Sequence, residues 1–279
     1  TSNSLTTNED TATSAIAFSG SDVDGDTLTF SFSDPAKGSV VDNADGTFTY
    51  TPDANANGSD SFTITVNDGT VDAVETINVA IAAVNDAPTI ATTTSITTDE
   101  DTATAAIAFS GSDVDGDTLT FSFNDPAKGS VVDNGDGTFT YTPDANANGS
   151  DSFTITVNNG PVDITETIDV AIAAVNDAPT ISTSNSLTTN EDTATAAIVF
   201  SGSDVDGDTL NFSFSDPAKG SVVDNGDGSF AYTPDANTNG SDSFTITVND
   251  GTVDVSETIN VAIAAVNDAP TISTSNSLT

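Results

Sequence analysis

Phe62-Thr63-Ile64-Thr65-Val66, the turn Asn67-Asp68-Gly69, and then Ile77-Asn78-Val79-Ala80-Ile81 decide the fold. Apolar and polar residues alternate with a period of two on either side of an Asp-Gly turn signal, the pattern of half-buried strands. Working outward, Leu28-Thr29-Phe30-Ser31-Phe32 and Phe48-Thr49-Tyr50 alternate in the same way, and Ile16 with Phe18 adds an early strand. Asp24-Gly25-Asp26, Asp34-Pro35, Asn43-Ala44-Asp45-Gly46 and Asn57-Gly58 punctuate them as turns. No helical period appears, and about seven short strands at this spacing predict an antiparallel β-sandwich.

The pattern is written three times. Glu9, Glu100 and Glu191 recur at a spacing of 91 residues, as do Asp22, Asp113 and Asp204. A period of that length is too long for a solenoid unit and suits a complete small domain with its own core. The expected fold class is therefore all-β, a tandem array of three immunoglobulin-like antiparallel β-sandwiches. The repeats run over 1–88, 89–179 and 180–270, with 271–279 as the linker and start of a next repeat. Thr274 to Thr279 restate Thr1 to Thr6, as expected of a slice cut from a longer array.

Composition narrows the function. Forty-three Asp and Glu face three lysines, with no Arg, His, Cys, Met or Trp, for a net charge of −40. Such a field repels nucleic acid and anionic membranes and gathers cations. An acidic disordered coil is excluded by the strict recurrence of Phe, Ile and Val. Without cysteine no disulfide staples the domains, and no stretch approaches a membrane span or a signal peptide. Histidine-activated nucleophiles are absent, and a two-carboxylate glycosidase needs a deep pocket that a small sandwich hardly offers, so no enzyme is expected. Lys37 lies within Asp34-Pro35-Ala36-Lys37-Gly38, a turn, whereas an isopeptide crosslink needs a buried lysine.

The carboxylates cluster where strands end. Asp22-Val23-Asp24-Gly25-Asp26 sets three of them on alternate residues of a tight loop, a spacing that wraps a hard cation through several oxygens. It is not an EF-hand: glycine falls fourth rather than sixth, and a strand follows. Each copy also opens with Asn8-Glu9-Asp10 or its counterparts 99–101 and 190–192, and has Asn67-Asp68-Gly69 after its most regular strand. Each closes with Val84-Asn85-Asp86-Ala87-Pro88 or its counterparts.

These four elements, in this order along every copy, resemble the cadherin-like and bacterial immunoglobulin-like tandem repeats of large secreted surface adhesins of the RTX type. The resemblance implies calcium held at interdomain junctions. Carried over, it places Asn85, Asp86, Glu100, Asp101, Asp113, Asp115 and Asp117 at the first junction. The second would take Asn176, Asp177, Glu191, Asp192, Asp204, Asp206, Asp208 and Asp250. Glu9, Asp10, Asp22, Asp24, Asp26 and Asp68, and Asn267 with Asp268, are the same ligand types toward the two ends. The acidic D-R-E element of cadherins has no match here, and Asp53, Asp144 and Asp235 stand nearest its place. Asn159 replaces the aspartate of the other copies, so the first junction loses a charge and is expected to bind calcium more weakly.

The resemblance further implies a calcium-stiffened extender stalk on the bacterial cell surface, exported by type I secretion and serving adhesion and biofilm. Its partners would be neighbouring repeats of a monomeric chain. The alternative is an adhesive module in which the repeats themselves grip a glycan or identical repeats. Tyr50, Tyr141 and Tyr232 alternate with Phe and are expected in the core rather than on a binding platform.

Overall fold

A computed structural model describes residues 3–273, all of them in strands, turns and loops. They form three β-sandwich domains of about 90 residues each. The first holds β1 (Ser4–Asn8), β2 (Ile16–Ala17), β3 (Thr29–Phe32), β4 (Gly38–Asp42), β5 (Thr47–Pro52), β6 (Gly58–Asn67) and β7 (Asp72–Ala82). The second holds β8 (Thr89–Thr92), β9 (Ser95–Asp99), β10 (Ile107–Ser112), β11 (Thr120–Phe123), β12 (Gly129–Asp133), β13 (Thr138–Pro143), β14 (Gly149–Asn158) and β15 (Asp163–Ala173). The third repeats this order with β16 (Thr180–Thr183), β17 (Ser186–Asn190), β18 (Ile198–Ser203), β19 (Asn211–Phe214), β20 (Gly220–Asp224), β21 (Ser229–Pro234), β22 (Gly240–Asn249) and β23 (Asp254–Ala264). The next repeat expected from 271 lies outside the described residues beyond 273. Two compact units divide the chain, residues 1–97, 103–142 and 150–171 in one and 98–102, 143–149 and 172–279 in the other.

In each domain the long hairpin centres one sheet, in the orders β1-β7-β6-β3, β9-β15-β14-β11 and β17-β23-β22-β19. The opposing sheet runs β2-β5-β4, β8-β10-β13-β12 and β16-β18-β21-β20. Alternation is kept as expected: Phe62, Ile77, Val79 and Ile81 are buried, and the residues between them face out. Tyr50, Tyr141 and Tyr232 are fully buried and stack on Phe62, Phe153 and Phe244 at 6.0–6.1 Å. Burying an aromatic or branched side chain of this kind contributes about 1.5–3 kcal/mol.

One pairing could not be read from alternation. The opening strand joins the last strand of its own repeat in parallel, Ser4 to Asn8 beside Asn78 to Ala82, and Ser186 to Asn190 beside Asn260 to Ala264. Glu9, Glu100 and Glu191 thereby reach the end where their own repeat closes, each N–H donating to Ala82, Ala173 or Ala264. This parallel register decides which end of its repeat each glutamate reaches.

Candidate metal centre

Three kinds of backbone build each site. The opening strand ends in a left-handed turn at Asp10, Asp101 and Asp192, with φ of 58–59°, a region that a short polar side chain tolerates. Their carboxylates then accept the N–H of Asn55, Asn146 and Asn237 at 2.9–3.0 Å. Glu9, Glu100 and Glu191 are 2–5% exposed. One oxygen of each accepts the N–H of Val84, Val175 or Val266, and the other the amide of Asn57, Asn148 or Asn239.

The linker aspartate comes next. Asp86 donates its N–H to Asp115 Oδ2 and Asp177 donates to Asp206 Oδ2, each at 2.8 Å. Last comes the loop, where Asp113 Oδ1 accepts from the N–H groups of Asp115 and Asp117, and Asp204 Oδ1 from those of Asp206 and Asp208. Asp113, Asp115 and Asp117 each offer a carboxylate oxygen within 4.8 Å of the others, and so do Asp204, Asp206 and Asp208. In the first repeat Asp22 Oδ1 caps the same loop through Asp24, Gly25 and Asp26.

Glu100 and Asp101 do not belong where the sequence reading put them. They sit with Val175, Asn146 and Asp177 at the second junction, where their charges act on Asp177. Glu9 and Asp10 act in the same way on Asp86 at the first. Glu191 and Asp192, assigned by sequence to the second junction, lie with Val266 and Asn237 at the closing end of the third repeat, as the parallel register requires. The first site thus gathers Glu9, Asp10, Asp86, Asp113, Asp115 and Asp117, and the second gathers Glu100, Asp101, Asp177, Asp204, Asp206, Asp208 and Asp250.

Asn159 and Asp250 occupy corresponding places, at 6% and 7% exposed, and treat their surroundings differently. The Asn159 amide nitrogen donates to Asp86 O at 2.8 Å, Asp113 Oδ2 at 3.0 Å and Asn85 Oδ1 at 3.3 Å. It stands among oxygens as a cation would. Asp250 instead accepts the Asn176 amide at 2.9 Å. Asp53, Asp144 and Asp235 form the turn ahead of these sites, and the asparagines two and four residues beyond them carry the contacts. Those asparagines, in the recurring Ala-Asn-(Ala/Thr)-Asn-Gly stretch, were missed as site residues. Asn267 and Asp268 are exposed.

One feature fits the donor set to a hard cation. Asp86 Oδ2 and Asp204 Oδ2 are buried with no hydrogen-bond partner, an arrangement costly for a carboxylate in water-poor surroundings. The Asn146 amide nitrogen donates to Asp101 Oδ2 and Asp177 Oδ2, each at 3.2 Å, and ties the opening turn to the linker aspartate. All-oxygen donors with several carboxylates suit calcium.

The charges respond accordingly. Burial, and then repulsion from Asp115, Asp10, Glu9 and Asp113, pushes the Asp86 carboxyl above its usual range. Burial and Asp206, Asp101, Glu100 and Asp204 do the same to Asp177. The Asn176 amide and the N–H groups of Val253 and Thr252 hold Asp250 well below it. In the core, burial opposes ionisation of Asp60, but hydrogen bonds from the Tyr50 hydroxyl and the N–H groups of Ser61, Ala36 and Lys37 outweigh it and keep Asp60 low.

The signs predict a pH profile. A carboxyl raised in the fold destabilises while ionised, so metal-free stability rises as pH falls through the raised values of Asp86 and Asp177. A depressed carboxyl such as Asp60 contributes stability above about pH 4, which is lost as pH falls through its folded value. Thermal melts in chelator across about pH 3 to 8 should therefore peak on the acid side of neutral. A profile falling steadily from neutral pH would oppose the junction repulsion.

The family model of the bacterial cadherin-like domain matches residues 1–83 and 85–174, and that of the cadherin-like domain matches 175–264. No curated protein matches. Among solved structures, mouse protocadherin-24 EC1-3 is 14% identical over 95% of this chain and 98% of that one, with a TM-score of 0.45. PcdhgB3 EC1-4 is 13% identical over 95% and 75%, with a TM-score of 0.49. The endo-fucoidan hydrolase MfFcnA4 of glycoside hydrolase family 107 is 20% identical over 86% of this chain, with a TM-score of 0.32, and the chain spans 39% of its length.

Proposed function

Because the chain belongs to the bacterial cadherin-like domain family, we propose that its repeats form an extracellular stalk on the bacterial surface, stiffened by calcium at each junction. The observation that supports this reading most is the pair of buried, partnerless carboxylate oxygens, Asp86 Oδ2 and Asp204 Oδ2, each in an acid-rich cluster at a linker. The first junction would hold calcium through Glu9, Asp10, Asp86, Asp113, Asp115 and Asp117, and the second through Glu100, Asp101, Asp177, Asp204, Asp206, Asp208 and Asp250. Bound calcium supplies positive charge that offsets the repulsion among these carboxylates.

The protein supplies the rest. Glu9 and Glu100 tie the closing end of a repeat through valine N–H groups, and Asp115 and Asp206 grip the linker through Asp86 and Asp177. Linker, preceding repeat and following loop thus contribute to one donor set, and ordering that set restricts the linker. Extracellular modules of this sort bind at roughly 10⁻⁴ to 10⁻³ M, so they fill outside a cell and stay empty within one. The role is structural, and the division at 1–88, 89–179 and 180–270 is kept as the unit of the stalk.

Calorimetric titration tests this reading. The second junction should bind calcium more tightly than the first, where the Asn159 amide stands in for one carboxylate. Asn159→Asp should tighten the first by about tenfold, or ~1.4 kcal/mol, because affinity follows the number of ligand charges. No calcium binding, or binding indifferent to this exchange, would refute the assignment.

A further inference from the structure

The turn between β14 and β15 is built differently from its counterparts, and the difference falls on the linker. The first and third repeats carry Asn67-Asp68-Gly69-Thr70-Val71 and Asn249-Asp250-Gly251-Thr252-Val253, and the second carries Asn158-Asn159-Gly160-Pro161-Val162. Two residues change together. Asp68 Oδ1 accepts the N–H and hydroxyl of Thr70 and the N–H of Val71, and Asp250 Oδ1 accepts those of Thr252 and Val253, all at 2.7–2.9 Å. Pro161 has neither an N–H nor a hydroxyl, so a carboxylate at 159 would lose two of these three bonds. An amide suits the altered turn. Its oxygen accepts the Val162 N–H at 3.1 Å, which leaves the nitrogen turned toward the linker.

That nitrogen binds linker and loop at once. It donates to Asp86 O and to Asp113 Oδ2, with Asn85 Oδ1 as a longer third acceptor. Elsewhere the first linker is held from both sides, the Val84 N–H donating to Glu9 Oε1 and the Asp86 N–H to Asp115 Oδ2. The second junction differs at the same atoms. Asp204 Oδ2, the counterpart of Asp113 Oδ2, is buried without a partner. Its turn reaches the linker through one bond, from the Asn176 amide to Asp250 Oδ2 at 2.9 Å. Two carboxylates, Asp204 and Asp250, thus stand where the first junction pairs a carboxylate with an amide.

We propose that the Asn159 amide takes the place of a cation at the first junction and closes it without metal, so that calcium governs the second junction and only reinforces the first. An amide NH2 brings two hydrogens into a group of oxygens, where a calcium ion would bring its charge. A hydrogen bond to an ionised carboxylate such as Asp113 is among the stronger kinds, and it persists in chelator. Asp86 Oδ2 keeps no partner, so calcium still strengthens a joint that it does not have to form. The contrast with the second junction rests on the calcium reading; the closure of the first does not.

Dipolar electron paramagnetic resonance on the whole chain tests it. The sequence has no cysteine, so spin labels placed through Ser39→Cys with Ser130→Cys, or Ser130→Cys with Ser221→Cys, at exposed positions, report one junction at a time. In chelator the distance distribution across the first junction should be narrow and that across the second broad. Asn159→Asp combined with Pro161→Thr restores the turn sequence of the other repeats, which fold with it. This pair of substitutions should abolish the narrow distribution across the first junction in chelator, and calcium should restore it. A first junction as broad as the second in chelator overturns the proposal, and so does one that the two substitutions leave narrow. A second junction indifferent to calcium, with the first behaving as described, supports the amide closure and refutes the calcium reading alone.

Discussion

Asp204→Asn should abolish most of the stabilisation that calcium gives the second junction while leaving the metal-free protein at least as stable as wild type. At ~100 times its dissociation constant a ligand stabilises the folded state by about 2.7 kcal/mol. In a domain of this size that corresponds to roughly 10–20 °C in melting temperature. Asparagine suits the test because its amide oxygen can still accept the N–H groups of Asp206 and Asp208, as Asp204 Oδ1 does, and so keeps the loop closed. What changes is Oδ2, the buried oxygen without a partner. In chelator the substitution removes one charge from a crowded cluster, so stability should hold or rise. Calorimetric melts with and without calcium read both effects, and a full calcium response in the variant would remove Asp204 from the ligand set.

Gly220→Ala should cost more, about 3–5 kcal/mol, and should do so regardless of calcium. A Cβ at this position would lie 2.5 Å from Thr233 O and 2.7 Å from the ring and hydroxyl of Tyr232. β20 and β21 meet here, Gly220 beside Pro234, so the backbone cannot yield without breaking the ladder. The Tyr232 hydroxyl donates to Asp242 Oδ2 at 2.8 Å, and Asp242 also accepts the N–H groups of Lys219 and Ala218. Displacing the ring therefore uncouples a carboxylate that the fold holds in its ionised form. Denaturant unfolding should show the third repeat melting first, and a loss below ~1 kcal/mol would mean that the packing around Tyr232 is looser than described.

Much of this architecture was legible in the residues. Alternation located β3 and β5 through β7 in the first repeat, because one face of each strand is buried and a period of two leaves no other register. β1 and β4 were not seen, since Ser-Leu-Thr-Thr-Asn carries one apolar residue and Gly-Ser-Val-Val-Asp does not alternate. The Asp loop was readable from the alternate spacing of its carboxylates, and the linker from the resemblance of Val84-Asn85-Asp86-Ala87-Pro88 to the cadherin-like repeats. The partners of Glu100 and Asp101 were not, because a parallel pairing across a whole repeat leaves no local trace.

Asp60 illustrates the opposite case, a signal present and overlooked. It shares its parity with Phe62, the next buried residue of β6, so the alternation already points it inward. An aspartate on the buried face needs donors, and the Tyr50 hydroxyl with the N–H groups of Ala36 and Lys37 provides them. The lysine proved to be a turn residue as read, half-buried, with its ammonium donating to Asn57 O at 2.7 Å.

Small-angle scattering of the chain in chelator and then in millimolar calcium tests the stalk most directly. The account predicts that calcium narrows the distance distribution to that of a defined rod and that Asp204→Asn loosens it again. Profiles that superimpose in the two buffers would contradict it, leaving the acidic clusters as solvated turns.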